Sequence, residues 1–273
     1  MIGGLILDVG LSTASFYPDY PTEEAIDIIG SMGIELAEVF LGSYSEYSKE
    51  FCQGMLGALT RHDMHIHSVH TLSTQFEPQL FASTYRQRKD ALNIWLRVLE
   101  GAKTIGAKVY VFHGPPVRLN TKPKLDFRRI GRITDELSDI AADFGIKFSW
   151  ENVYWCWYSD PKFAVKLLEN TKGDNIYFTL DIKQAIKSGY LPEEFLYNMG
   201  DRVANVHVCD FDRDGKLYLP GMGEYHFQGL YEQLYKQGYR GPVMLEVYRS
   251  NYRHYLDMLK SMNFLNNIFS SHI

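Results

Sequence analysis

Glu151, Asp181, His207 and Glu246 share one setting in the sequence: each falls at the end of a short run of apolar and β-branched residues. One imidazole and three carboxylates form a donor set for a divalent cation of oxygen-preferring or borderline character, so Mn, Mg, Co and Zn all suit it. Without a cation, three carboxylates brought into one pocket would repel, and the pKa of at least one should rise. Similar run ends carry Glu38, His67, His70, His113, Asn152 and Asp210. His70 and His113 fit either a second metal beside Glu151 or contacts to a substrate hydroxyl, and packed histidines at a barrel mouth explain them equally well.

Residues so far apart in sequence become neighbours only if the fold gathers strand ends at one place. The apolar runs are Gly4–Val9, Glu35–Phe40, His65–His70, Lys108–His113, Ile146–Glu151, Ile176–Asp181, Val203–Val208 and Pro242–Val247. They are mostly continuous rather than alternating, as expected of parallel strands buried on both faces. Amphipathic stretches lie between them. Thr22 is a candidate N-cap, followed by Ala25, Ile28, Ile29 and Met32 at helical spacing and a stop at Gly33. Leu92, Trp95, Leu96 and Leu99 lead to Gly106, and Ile130, Ile133, Leu137, Ile140 and Phe144 lead to Gly145. Ser159-Asp-Pro161 opens another helix, and Tyr252–Phe269 supplies the closing one. Eight strands each followed by a helix predict a single-domain (β/α)8 barrel spanning residues 1–273, whose strand C-termini converge on one mouth. A doubly wound sheet would show a Gly-rich turn after the first strand, where Val9-Gly-Leu-Ser-Thr13 has a single Gly.

Composition limits the partners. Hydrophobic residues make up 45% and charged residues 22%, which suits a chain able to bury a sizeable core. The formal charge of -5 gives no electrostatic footprint for nucleic acid. Cys52, Cys156 and Cys209 form no Cys-x-x-Cys pair, so buried free thiols are expected. No apolar run is long enough for a membrane span or a secretory signal, and a soluble cytoplasmic protein is the expectation. Tyr154, Trp155, Trp157 and Tyr158, with Phe16 and Tyr17, could wall a sugar pocket, form the contact of a homo-oligomer, or pack beneath a loop. Gly221-Met-Gly223 reads as a plain loop more readily than as a phosphate-binding turn.

Ser149-Trp-Glu-Asn152, Thr179-Leu-Asp181, Asn205-Val-His-Val-Cys-Asp210, Pro220-Gly-Met-Gly223 and Val243-Met-Leu-Glu246 together resemble the xylose isomerase-like barrels. That family includes sugar isomerases and epimerases, inosose dehydratases and endonuclease IV-type repair enzymes. The resemblance implies that Glu151, Asp181, His207 and Glu246 bind one divalent metal ion, with Glu151 and Glu246 as the acid/base pair of a small carbohydrate substrate. It also implies that Arg213, six residues after His207, contacts substrate oxygens. One carboxylate on each face of a carbon beside a carbonyl permits inversion, because one removes the proton and the other returns it. An inosose-type dehydratase and a carbohydrate- or partner-binding barrel without turnover are the alternatives.

Two departures qualify this resemblance. Asp181-Ile-Lys-Gln184 stands where the family often has Asp-x-x-His, and Gln184 can hydrogen-bond to substrate but cannot carry a proton. Endonuclease IV-type enzymes bind three zinc ions; here Gln184 and Asp212-Arg-Asp214 break the third zinc cluster. With the acidic charge, this argues against a DNA phosphodiesterase.

Overall fold

The computed structural model describes residues 6–117 and 124–270. Ten strands occur among them: β1 (Val9–Ser12), β2 (Leu36–Leu41), β3 (His65–Thr71), β4 (Val109–Phe112), β5 (Lys147–Glu151), β6 (Ile176–Asp181), β7 (Val203–Val208), β8 (Asp210–Phe211), β9 (Leu217–Tyr218) and β10 (Val243–Leu245). The helices are α1 (Thr22–Ser31), α2 (Lys49–Arg61), α3 (Glu77–Leu80), α4 (Tyr85–Thr104), α5 (Phe127–Asp143), α6 (Lys162–Leu168), α7 (Ile182–Lys187), α8 (Pro192–Met199), α9 (Phe227–Lys236) and α10 (Asp257–Phe269). Eight strands close a parallel barrel in the order β1-β10-β7-β6-β5-β4-β3-β2, and β8 and β9 form a small antiparallel hairpin after β7. The chain therefore adopts the (β/α)8 architecture expected from its sequence. Among the described residues no helix is long and apolar enough to cross a membrane.

Alternation along each strand decides what the barrel encloses. On β4, Tyr110 and Phe112 belong to the main core with Trp95 and Phe148. Val109 and Val111 face the other way, into the lumen, where they pack with Ala204 as a separate apolar plug. The same parity turns Trp150, Leu180, Val206, Val208, Val243 and Leu245 toward the helices, all of them in the main core. Ser149, Glu151, Thr179, Asp181, Asn205 and His207 consequently point inward, and Glu246 continues the inward parity just past β10.

Local chemistry accounts for the outer layer. On α4 the buried residues Ala91, Trp95, Val98, Leu99 and Ala102 repeat at helical spacing, as do Ile130, Ile133, Leu137 and Ala141 on α5. Asp126 caps α5 by accepting from the Arg129 amide at 3.1 Å. Two expectations are corrected. The first strand was expected over Gly4–Val9; residues 4 and 5 lie outside the described residues, and the strand runs from Val9 to Ser12. Its register pairs Val9 with Val243 and Leu11 with Ala37, while Leu7 bonds back to Phe269 of α10 instead of joining the sheet. Thr22 is not the N-cap of α1 but its first residue, and its hydroxyl donates to the Phe40 carbonyl at 2.9 Å, tying α1 to β2.

Candidate metal centre

The turn from β6 into α7 sets the geometry of one face of the barrel mouth. Asp181 ends the strand and caps the helix, its Oδ1 accepting from the Gln184 amide at 2.9 Å. Asn152 clamps the same turn from the end of β5, donating to the Asp181 carbonyl at 2.9 Å and accepting from the Asp181 amide at 2.7 Å. With Oδ1 committed to the cap, Oδ2 is left to face the lumen.

His207 of β7 lies at the centre. Its Nδ1 is 3.0 Å from Glu151 Oε1, 3.4 Å from Glu246 Oε2 and 3.5 Å from Asp181 Oδ2. One donor atom from each of Glu151, Asp181, His207 and Glu246 lies within 4.8 Å of all the others, and all four residues are buried. The barrel thus brings together the four residues singled out in the sequence. Glu246 Oε2 makes no hydrogen bond among the described residues, although it is buried.

The other side of the imidazole is fixed by Glu38, a fully buried carboxylate in the middle of β2. Glu38 Oε2 is 2.9 Å from His207 Nε2 and accepts from Ser68 Oγ at 2.6 Å and Asn205 Nδ2 at 2.8 Å, while Oε1 accepts from Ser12 Oγ at 3.0 Å. A carboxylate with this many donors stays ionised despite burial. Burial pushes its pKa up, but the His207 and His70 charges outweigh that and hold it well below the ordinary value. For His207, burial opposes the charge, yet Glu246 and Glu38 keep its pKa well above the histidine range. A cation binding at Nδ1 would displace that proton.

The donor set fits a divalent ion. Three carboxylates and one imidazole converge, and the Glu38 carboxylate accepts the Nε2 proton so that Nδ1 turns toward the acids. His70 sits between Glu38 and Glu246, its Nε2 3.3 Å from Glu38 Oε1 and 3.7 Å from Glu246 Oε2. His113 lies 3.3 Å from Glu151 Oε2 through Nε2, and 3.4 Å from Glu77 Oε2 through Nδ1. Although burial opposes it, Glu77 and Glu151 raise the His113 pKa to about 9. Both histidines therefore line the cluster. His113 is placed by Glu77, which accepts from the amides of His113 at 3.0 Å and Gly114 at 3.3 Å. Gly114 is required there: its φ is +80° and an added Cβ would meet the Trp150 ring at 2.4 Å.

Among the remaining candidates only Arg213 departs from expectation, and the glycine turn is the plain loop expected. Gln184 borders the cluster, with Oε1 accepting from the Tyr154 amide at 3.4 Å. Arg213 is not brought to the site; it projects from the β8–β9 turn with its side chain 91% exposed and its Nε donating to Glu224 at 2.9 Å. The Gly221 and Gly223 amides do not form an open phosphate cradle, because both donate to Asp210 Oδ2 at 2.9 Å. Of the aromatic run, Tyr158 is buried in the core, whereas Tyr154 is exposed beside Lys187. Phe16 is fully buried, and exposed Tyr17 meets Phe40 edge-on.

Lys183 also enters the cluster, although the sequence did not single it out. Its side chain is 3% exposed, and its Nζ donates to Asp181 Oδ2 and, at 2.5 Å, to Glu246 Oε1. Burial works against the ammonium, but Asp181 and Glu246 hold its pKa well above the ordinary lysine value. Burial likewise disfavours ionised Asp181, and Lys183 with His207 draws its pKa down to about 2.

Residues 26–268 match the family model described as xylose isomerase-like TIM barrel. The chain belongs to that family. It is 25% identical to an uncharacterised protein of Methanocaldococcus jannaschii over 257 residues, covering 88% of this chain and 84% of that one. Among solved structures it resembles a D-tagatose 3-epimerase-like protein, with a TM-score of 0.79, 21% identity and coverage of 96% of this chain and 97% of that one. It also resembles the 3-keto-D-glucoside 4-epimerase of E. coli, with a TM-score of 0.75, 19% identity and coverage of 96% and 99%.

Proposed function

We propose that this protein is a metal-dependent sugar isomerase or epimerase that abstracts a proton from a carbon next to a carbonyl of a small keto-sugar or polyol-derived substrate. The observation that carries the reading is the convergence of Glu151 and Glu246, from strands on either side of β6 and β7, on one His207 nitrogen. A divalent ion held by Glu151, Asp181, His207 and Glu246 would supply electrostatic stabilisation of the enediolate formed on deprotonation. In this reading Glu246 takes or returns the proton on one side of the reacting carbon and Glu151 does so on the other. His70 and His113, each beside one of these glutamates, hydrogen-bond substrate hydroxyls. The epimerase names of the structural neighbours, one at C3 and one at C4, support the reaction class and leave the carbon open.

The test is solvent-deuterium incorporation into a panel of ketoses in 2H2O with Mn, Mg, Co or Zn supplied. The wild-type protein should exchange one carbon-bound proton of at least one sugar. Product analysis then separates a returned proton from loss of a β-hydroxyl. A folded, metal-loaded protein that binds a sugar without exchange would leave a binding barrel as the better account.

A further inference from the structure

Lys183 is the only lysine or arginine among the buried described residues, and it is buried against two members of the metal set. The cap that turns Asp181 Oδ2 toward the lumen also places the second residue of α7 back over the site. Its ammonium is therefore directed at Asp181 Oδ2 and Glu246 Oε1, the same carboxylates that a divalent ion would use. An ammonium and a divalent cation repel strongly in such a poorly solvated pocket, so the two cannot share both carboxylates at full strength. We propose that Lys183 is an internal cation that competes with the metal ion for Asp181 and Glu246 and so weakens, and sets, the affinity of the centre. This inference rests on the metal-dependent reading given above.

Metal binding then requires the Lys183 side chain to leave its two carboxylates. The methionine variant Lys183→Met keeps the length and apolar stem of the side chain while removing the charge. Free Mn2+ measured by electron paramagnetic resonance during a titration gives the affinity without any assay of activity. Lys183→Met should bind Mn2+ at least tenfold more tightly than wild type, and binding that is equal or weaker overturns the proposal.

A test on the wild-type chain does not depend on the variant folding. Amine labelling read by mass spectrometry should rise severalfold at Lys183 when Mn2+ saturates the protein; unchanged labelling overturns the competition. Glu151→Gln, which removes a proposed ligand that Lys183 does not touch, separates the metal centre from the competition. If Glu151→Gln binds Mn2+ as well as wild type, the metal centre itself is wrong. If it loses Mn2+ while Lys183→Met gains nothing, only the competition is wrong.

Discussion

Glu38 Oε2 and His207 Nε2 are 2.9 Å apart on the side of the imidazole opposite Glu151, so a fully buried carboxylate of β2 decides which ring nitrogen faces the proposed ligands. Glu38 is in turn held by Ser12, Ser68 and Asn205, from three further strands. A neutral amide in place of Glu38 can donate to Nε2 and shift the ring proton to Nδ1, where it blocks a metal bond. Glu38→Gln should therefore weaken Mn2+ binding by about 10- to 100-fold with little change in circular dichroism. Wild-type affinity in that variant would remove Glu38 from the centre.

Glu246→Gln keeps the shape of the side chain but cannot accept a proton. Exchange of the substrate proton with 2H2O should fall by roughly 10^2- to 10^4-fold, as expected for the loss of a general base. Exchange persisting near the wild-type rate would reassign the base.

Asp210 gathers the loop after β9: its carboxylate accepts from the amides of Gly221, Gly223 and Tyr225, each at 2.9 Å. Each hydrogen bond to a charged group contributes about 1.5–3 kcal/mol, and removing the carboxylate takes the acceptor from three loop amides at once. Asp210→Ala should lower stability by roughly 3 kcal/mol or more in urea denaturation. A loss below about 0.5 kcal/mol, typical of a surface change, would show that the loop is held by other contacts.

His67, whose Nε2 donates to the Ala204 carbonyl at 3.0 Å, gives a pH dependence through a residue that is not one of the proposed metal ligands. Burial lowers its pKa below the ordinary 6.5, outweighing the hydrogen bond to Ala204. The neutral form is thus favoured in the fold, and the unfolded chain binds the proton more readily. Its contribution to stability is present above pH 6.5 and is lost as pH falls toward the depressed folded value. His67→Gln should flatten the fall in melting temperature just below pH 6.5 relative to wild type; parallel curves would show that the ring does not drive it.

Much of the barrel was legible because buried parallel strands leave continuous apolar runs. The sixth and seventh runs, Ile176–Asp181 and Val203–Val208, coincide with β6 and β7. β1 was misplaced because Leu7 is equally apolar but packs under α10, and only the pairing register distinguishes the two uses. The four strand-end residues were legible because four strands in succession close on an ionisable group, although any one of them alone has an ordinary structural use, as the Asp181 cap shows. Lys183 was not, because its place over the site depends on the cap formed by Asp181, and a lysine in a first helical turn ordinarily points to solvent. Glu77 was hidden for a similar reason: it begins a four-residue helix with no periodic signal, yet is fully buried against Tyr110 and the His113 amide.

The proposed metal centre places one divalent ion among Glu151, Asp181, His207 and Glu246. Elemental analysis of protein purified without chelator or metal-affinity tag, followed by titration with Mn, Co, Mg and Zn, tests it most directly. The arrangement predicts one ion per chain at saturation, and loss of that ion in His207→Ala. A wild-type chain that carries no divalent metal and takes up none of the four would contradict it.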